Sequence, residues 1–140
     1  MINEFQGEYR WLSNFHPFLI RIGEFTYPTV EHFYQASKAT RASEAKAIAE
    51  ALTPGNAKYL GQRCKMRDDW EDVKDLVMMH GVLAKFNQNI DLWELLDNTG
   101  DQLLQEGNTW NDKYWGICLR TGEGKNKLGK ILMMVRDVLR

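Results

Sequence analysis

Residues 70–87 read WEDVKDLVMMHGVLAKFN, and the fold turns on how that run is read. Trp70, Val73, Leu76, Val77, Leu83 and Ala84 fall at intervals that place them on one side of a helix, which predicts a long helix from Trp70 to Asn87 capped by Asp68 or Asp69. Toward the N-terminus, Thr29 can cap a helix running from Val30 to Thr40, and Ser43 to Leu52, rich in Ala, Glu and Lys, predicts another. Pro54 opens a third short helix through Leu60, ended by Gly61. Toward the C-terminus, Ile90 to Asn98 is a short helix stopped by Thr99-Gly100. Leu128, Ile131, Leu132, Val135, Val138 and Leu139 mark one face of the last helix.

Strand signals are fewer. Phe18, Ile20 and Ile22 alternate with Leu19 and Arg21, and Gly23-Glu24 offers a two-residue turn into Phe25-Thr26-Tyr27, with Gly at the first central position of a type II′ hairpin. Leu103-Leu104 and Tyr114 to Leu119 read as two further strands flanking a polar loop. The expected fold is α+β: a mostly helical single domain over residues 1–140 with a small antiparallel sheet or hairpin.

Composition narrows the functional classes. A chain of 140 residues with 44% hydrophobic side chains fits one domain that buries a core without disulfides or metals. A formal net charge of −1 gives little sequence-independent pull on a phosphate backbone. Cys64 and Cys118 are far apart in sequence, which suits a reducing compartment. No basic-then-apolar leader opens the sequence and no apolar run approaches a bilayer's thickness, so the expected address is the cytoplasm, with no membrane role and no obligate protein partner. His16, His32 and His80 form no His-Glu-x-x-His pattern, Cys-x-x-Cys is missing, and Gly122-Glu123-Gly124-Lys125 is too short for a P-loop. No metal and no cofactor is expected.

Three segments carry the chemistry that remains. In Thr29 to Lys38, helical spacing puts Glu31, Gln35 and Lys38 in one line, with Val30, Phe33 and Ser37 turned toward a core. That line is either a solvated polar face or a carboxylate beside an amine that it holds or tunes, a pair fit for acid–base or nucleophilic work. The loop Glu106 to Gly116 packs acids, asparagines, a tyrosine and two tryptophans, Trp110 and Trp115, into one connection. Its aromatics either plug the core or offer a flat face to a base or sugar. Finally, Thr121 to Lys130 runs glycines and lysines into the last helix, where free backbone N–H groups with Lys125 and Lys127 would seat a phosphate, unless the basic turn only caps the helix.

These segments, in this order, resemble the NADAR (YbiA-like) family. The similar stretches are Tyr9 to Phe15, Tyr27 to Lys38, Trp70 to Lys74, Ala84-Lys85-Phe86, Glu106 to Gly116 and Gly124 to Gly129, together spanning nearly the whole chain. The resemblance implies a compact metal-free α+β domain with N-glycosidase activity on a ribosylated base. The family's substrates are phosphoribosylamino-pyrimidine intermediates of riboflavin synthesis, or ADP-ribose attached to guanine, free or in nucleic acid. It also implies Glu31 and Asp112 as the catalytic acids, Lys38 as the family's lysine, Trp70 as the pocket tryptophan, and a substrate site lined by Ser13, Asn14, Trp115, Gly116 and Asn126, with Glu106 and Lys125 beside them. The chain is short, and little lies outside these motifs to set the leaving group.

Cleaving an N-riboside builds positive charge on the sugar as the base departs, so one carboxylate beside the anomeric carbon and a second group to activate water or protonate the leaving nitrogen suffice. Glu31 and Asp112 are expected to converge on one cavity. Lys38 either pairs with Glu31 or a phosphate, or attacks the ring-opened sugar as a Schiff-base nucleophile. A reader of ADP-ribose or a nucleotide without turnover is the alternative of another class; carboxylates facing an anionic ligand argue against it.

Overall fold

The computed structural model describes residues 1–140 and resolves into two compact units, Asn14–Gln88 and Met1–Ser13 with Asn89–Arg140. In the first, strands β1 (Ile20–Ile22) and β2 (Phe25–Tyr27) form the expected antiparallel hairpin, with Ile22 opposite Phe25 and Gly23 at φ +64° in the two-residue turn. Glu24 has no positive φ, which fits a type II′ turn and not a type I′ turn.

Four helices follow: α1 (Val30–Ala36), α2 (Ala42–Ala49), α3 (Pro54–Gly61) and α4 (Trp70–Asn87). Helix α1 packs against all three of the others. Its N-cap is closed locally. Thr29 Oγ1 accepts from the His32 amide at 3.1 Å and lies 2.8 Å from His32 Nδ1, while His32 Nε2 is 2.9 Å from the Ala51 carbonyl. A carbonyl needs a donor, so Nε2 carries the proton and both ring nitrogens of this buried histidine are taken. Ala36, Ile48 and Ala57 form a small core beneath α1, ringed by Tyr27, Ala39, Ala51 and Cys64.

Four expectations for this unit are corrected. Helix α2 stops at Ala49, with Glu50 as its C-cap, and not at Leu52. Helix α1 stops at Ala36 and not at Thr40. Ser37 Oγ donates to the Phe33 carbonyl, Lys38 and Ala39 turn to acceptors three residues back, and the chain then pairs with 65–67 through Thr40 N to Lys65 O and Arg67 N to Lys38 O. Helix α4 has the expected bounds, but Asp69 makes no side-chain cap bond; its carboxylate pairs with Arg67 instead, at 2.6 Å. The buried face of α4 is Trp70, Met78, Gly81, Val82, Ala84, Lys85 and Phe86; of the expected stripe Trp70 and Ala84 are buried, Val73, Val77 and Leu83 half-buried, and Leu76 exposed. Gly81 belongs to that face because a Cβ there would meet Phe33 Cδ2 at 3.0 Å and Val30 Cγ1 at 3.1 Å.

The second unit begins with a 3₁₀ helix, Gly7–Leu12, that buries Trp11 and Leu12. It continues with α5 (Ile90–Asp97), β3 (Gly107–Asn108), β4 (Ile117–Cys118) and α6 (Lys127–Leu139). Leu128, Ile131, Leu132 and Val135 are the buried stripe of α6, while Val138 of the expected face is exposed and Leu139 half-buried at the end of the helix. Arg136, also buried, donates Nη1 to Thr99 Oγ1 and the Gln102 carbonyl. The strands expected at Leu103-Leu104 and Tyr114 to Leu119 do not form as such. Leu104 makes only a single parallel bridge with Ile2, and the regular pairing is a two-residue parallel one, Gly107 with Ile117 and Asn108 with Cys118. The amides of Asp112, Tyr114 and Trp115 donate to side chains within the loop, so that stretch has no ladder to offer. No helix is long and apolar enough to cross a membrane.

Candidate active site

Glu31 stands in the first turn of α1, and the whole of that helix is buried, Glu31 at 7% and Gln35 at 3% exposure. The solvated-face reading of this line is therefore overturned. Glu31 is held at two points: its amide donates to the Asn14 carbonyl at 3.1 Å, and its Oε1 accepts from Gln35 Nε2 at 2.7 Å. Asn14 is itself buried, with Nδ2 donating to Met78 Sδ on α4, so this part of the expected pocket lining is a fixed wall.

Lys38 lies in the turn after α1, half-buried, with Nζ 5.5 Å from the centre of the Tyr34 ring and 5.9 Å from that of Trp70. Tyr34 and Trp70 meet edge to face at 5.0 Å. Burial pushes the Lys38 ammonium below the usual lysine range; Glu31 and Cys64 oppose that pull, and Lys58 and Lys74 add to it. In this niche of two aromatic rings, burial and the neighbouring cations Lys58 and Lys74 favour the amine form of Lys38, while the Glu31 carboxylate favours the ammonium. Trp70 is only 3% exposed, so it backs Tyr34 and Lys38 as a wall of this niche.

In the other unit, Asp112 sits in the loop after β3. Its Oδ1 accepts from the amides of Tyr114 at 3.0 Å and Trp115 at 2.9 Å. Buried Asn108 organises the loop from beneath: its Oδ1 accepts from the Asp112 amide at 3.0 Å, and its Nδ2 reaches the Asp112 carbonyl at 2.9 Å and Glu106 Oε2 at 3.1 Å. Gly116 is buried directly against Glu106; a Cβ there would overlap the Glu106 carboxylate and carbonyl. Trp115 packs edge to face on Tyr114 at 4.8 Å, half-buried, and Ser13 is half-buried at the end of the 3₁₀ helix.

The expected seat of free backbone N–H groups before α6 is not there. The amides of Lys125, Asn126, Lys127 and Leu128 donate in turn to the carbonyls of Lys113, Gly116, Tyr114 and Trp115. Asn126, at φ +50°, turns its side chain to Leu104 O and the Glu106 amide. What faces outward is ammonium charge: Lys125 and Lys127 lie 5.3 and 5.7 Å from the Tyr114 ring centre.

Two functional candidates escaped the sequence reading. Asn108 was one polar residue among several, and nothing local marks the one that turns inward. Lys85 had a signal: it falls four residues after Gly81 and seven after Met78, on the buried face of α4. Burial pushes its ammonium down to about 7. Since an exposed lysine in the unfolded chain titrates near 10.4, the folded protein holds fewer protons than the unfolded one between about pH 7 and 10, and stability rises with pH across that window, by up to about 1.4 kcal/mol per unit. Below about pH 7 both states are protonated and this contribution is flat. Urea unfolding at about pH 7.5 and 9.5 checks it: the wild type gains stability on going up and Lys85→Met loses that gain. An equal gain in the variant assigns the slope to other groups.

Comparison with known proteins fixes what these residues belong to. Residues 2–140 match the family model for the NADAR domain. The N-glycosidase Npun_R5314 of Nostoc punctiforme is 43% identical over 138 residues, covering 94% of this chain and 86% of that protein. The N-glycosidase YbiA of Escherichia coli is 39% identical over 134 residues, covering 94% and 82%. Its solution NMR structure superposes with a TM-score of 0.87 and 34% identity over 99% of this chain and 86% of that one. A riboflavin biosynthesis protein of Vibrio vulnificus, VVA0006, is 37% identical over 92% of this chain but only 35% of its own length. The chain therefore belongs to the NADAR family and is, like the relatives that match it over most of their length, an N-glycosidase.

Proposed function

We propose that the bond cleaved joins ribose to the exocyclic or ring nitrogen of a small phosphoribosylated amino-pyrimidine of riboflavin synthesis. The Vibrio relative named for that pathway supports this substrate, and the formal net charge of −1 favours a free metabolite over a nucleic-acid backbone. The observation that carries the chemistry is the buried Glu31 carboxylate held beside an amine, Lys38, that burial has made less basic.

In this reading the C1′–N bond breaks, water delivers hydroxyl to C1′ and the leaving nitrogen takes a proton. Glu31 and Asp112 are the two acids: one offsets positive charge on the sugar, the other activates water or protonates the leaving group. Ser13, Asn14, Glu106, Trp115, Gly116 and Asn126 shape the walls on their respective units, Trp70 supports Lys38, and Lys125 offers charge to a phosphate. Lys38 has two roles open to its amine: pairing with an anion, or adding to the ring-opened sugar aldehyde to give an iminium with loss of water.

One experiment separates these. Purified protein is incubated with a phosphoribosylamino-pyrimidine, with ADP-ribosyl-guanosine and with an ADP-ribosylated oligonucleotide, each with and without borohydride, and read by mass spectrometry. Release from the pyrimidine, with the other two slow, is expected. Release only from the guanine substrates replaces the metabolite by ADP-ribose, and tight binding without release in any arm identifies a reader. A borohydride-trapped adduct on Lys38 marks the iminium; intact protein mass with turnover leaves Lys38 the pairing role.

A further inference from the structure

Gln35 carries a buried oxygen with nothing to accept from. The side chain is 3% exposed, Nε2 donates to Glu31 Oε1 at 2.7 Å, and Oε1 has no hydrogen-bond partner. That oxygen faces the last residue of α3: a Cβ built on Gly61 would overlap Gln35 Oε1 and come within 2.9 Å of its Cβ and Cδ. An orphaned acceptor in a packed helix interface costs stability, and a leucine or methionine would fill the same space without it. The useful end of the side chain is therefore the donor.

The amide cannot turn over while Glu31 is ionised, because exchanging N and O would set two acceptors against each other at hydrogen-bond distance. Nor can it swing aside, because it is clamped between α1 and the bare Cα of Gly61. We infer that Gln35, wedged against Gly61, is the positioning residue that holds the Glu31 carboxylate in its working rotamer. The inference rests on the catalytic reading of Glu31 given above. The backbone of Glu31 is tied to Asn14 and its carboxylate to Gln35, so the direction in which the carboxylate points is set by the protein before substrate arrives. Gly61 belongs to the same device: no other residue type leaves room for the amide.

Gln35→Leu keeps the volume, removes the donor and removes the orphaned acceptor with it. On the substrate released above, kcat is expected to fall roughly ten- to a hundredfold and KM to stay within about twofold, while the fold survives because losing the orphaned oxygen offsets part of the hydrogen bond that Glu31 loses. Gly61→Ala, which displaces the amide while leaving Gln35 in the chain, is expected to reproduce the kcat loss. Combined with Glu31→Gln, the leucine variant should lower kcat by less than about twofold further, since both act through one carboxylate. Wild-type kcat in Gln35→Leu, a loss confined to KM, or a double variant in which the two losses multiply would each overturn the inference. A slow Glu31→Gln enzyme beside a normal Gln35→Leu enzyme sinks this inference alone; full activity in Glu31→Gln sinks the reading of Glu31 and this with it. A readout free of turnover is hydrogen exchange of the Gln35 side-chain amide: slow in the wild type and fast in Gly61→Ala if the clamp exists, equal in both if it does not.

Discussion

Glu31→Gln is expected to lower kcat by about two orders of magnitude or more while leaving the fold and Tm close to those of the wild type. Glutamine has the size of the buried glutamate, and its Oε1 still accepts from Gln35 Nε2, so α1 keeps both its packing and its hydrogen bond. What is lost is the negative charge, together with the ability to take a proton. In a buried site that charge is worth more than in water, because little solvent screens it as the sugar becomes positive. Circular dichroism and thermal unfolding alongside steady-state rates separate the outcomes. A folded variant with wild-type turnover removes Glu31 from the reaction; a variant that loses activity and Tm together shows that the charge was holding the fold.

Asp112→Asn is expected to have an effect of similar size, and the loop makes it a clean experiment. Asparagine keeps an Oδ1 that accepts from the Tyr114 and Trp115 amides, so the turn survives while the charge goes. Asp112→Ala strips both amides of their acceptor and is expected to cost about 1–3 kcal/mol of stability on top of the lost charge. Comparing the two divides the residue's work: a hundredfold or larger fall in kcat in Asp112→Asn at unchanged Tm assigns the charge to the reaction. Wild-type kcat in Asp112→Asn with a destabilised Asp112→Ala reduces Asp112 to a turn-former.

Where a segment's neighbours are few, the sequence was enough. The Gly23-Glu24 hairpin, the bounds of α4 and the buried stripe of α6 all follow from spacing and turn chemistry that act over a few residues. Helix α1 shows where that logic stops. Periodicity assigns one side of a helix to a core and the other to water, but α2, α3 and α4 surround α1, so the polar line of Glu31 and Gln35 is as buried as Val30 and Phe33. Lys38 was placed on that line by extending the helix past Ser37; the pairing of 38–40 with 65–67, distant in sequence, ends it early. The loop of Asp112 is legible as unusual but not as built, because its order comes from the inward turn of one of its two asparagines, Asn108, and from the amides of 125–128, which lie outside it.

The four amides of 125–128 that donate to the carbonyls of 113–116 bypass the chain between them. Residues 119–125 are exposed, and two of them add to this brace: Glu123 pairs with Lys113 at 3.1 Å, and Gly124 lies against the Gly116 carbonyl with no room for a side chain. A fluorophore or affinity handle introduced at Arg120, which takes part in none of these contacts, therefore reports from beside the Asp112 loop while leaving its scaffold whole.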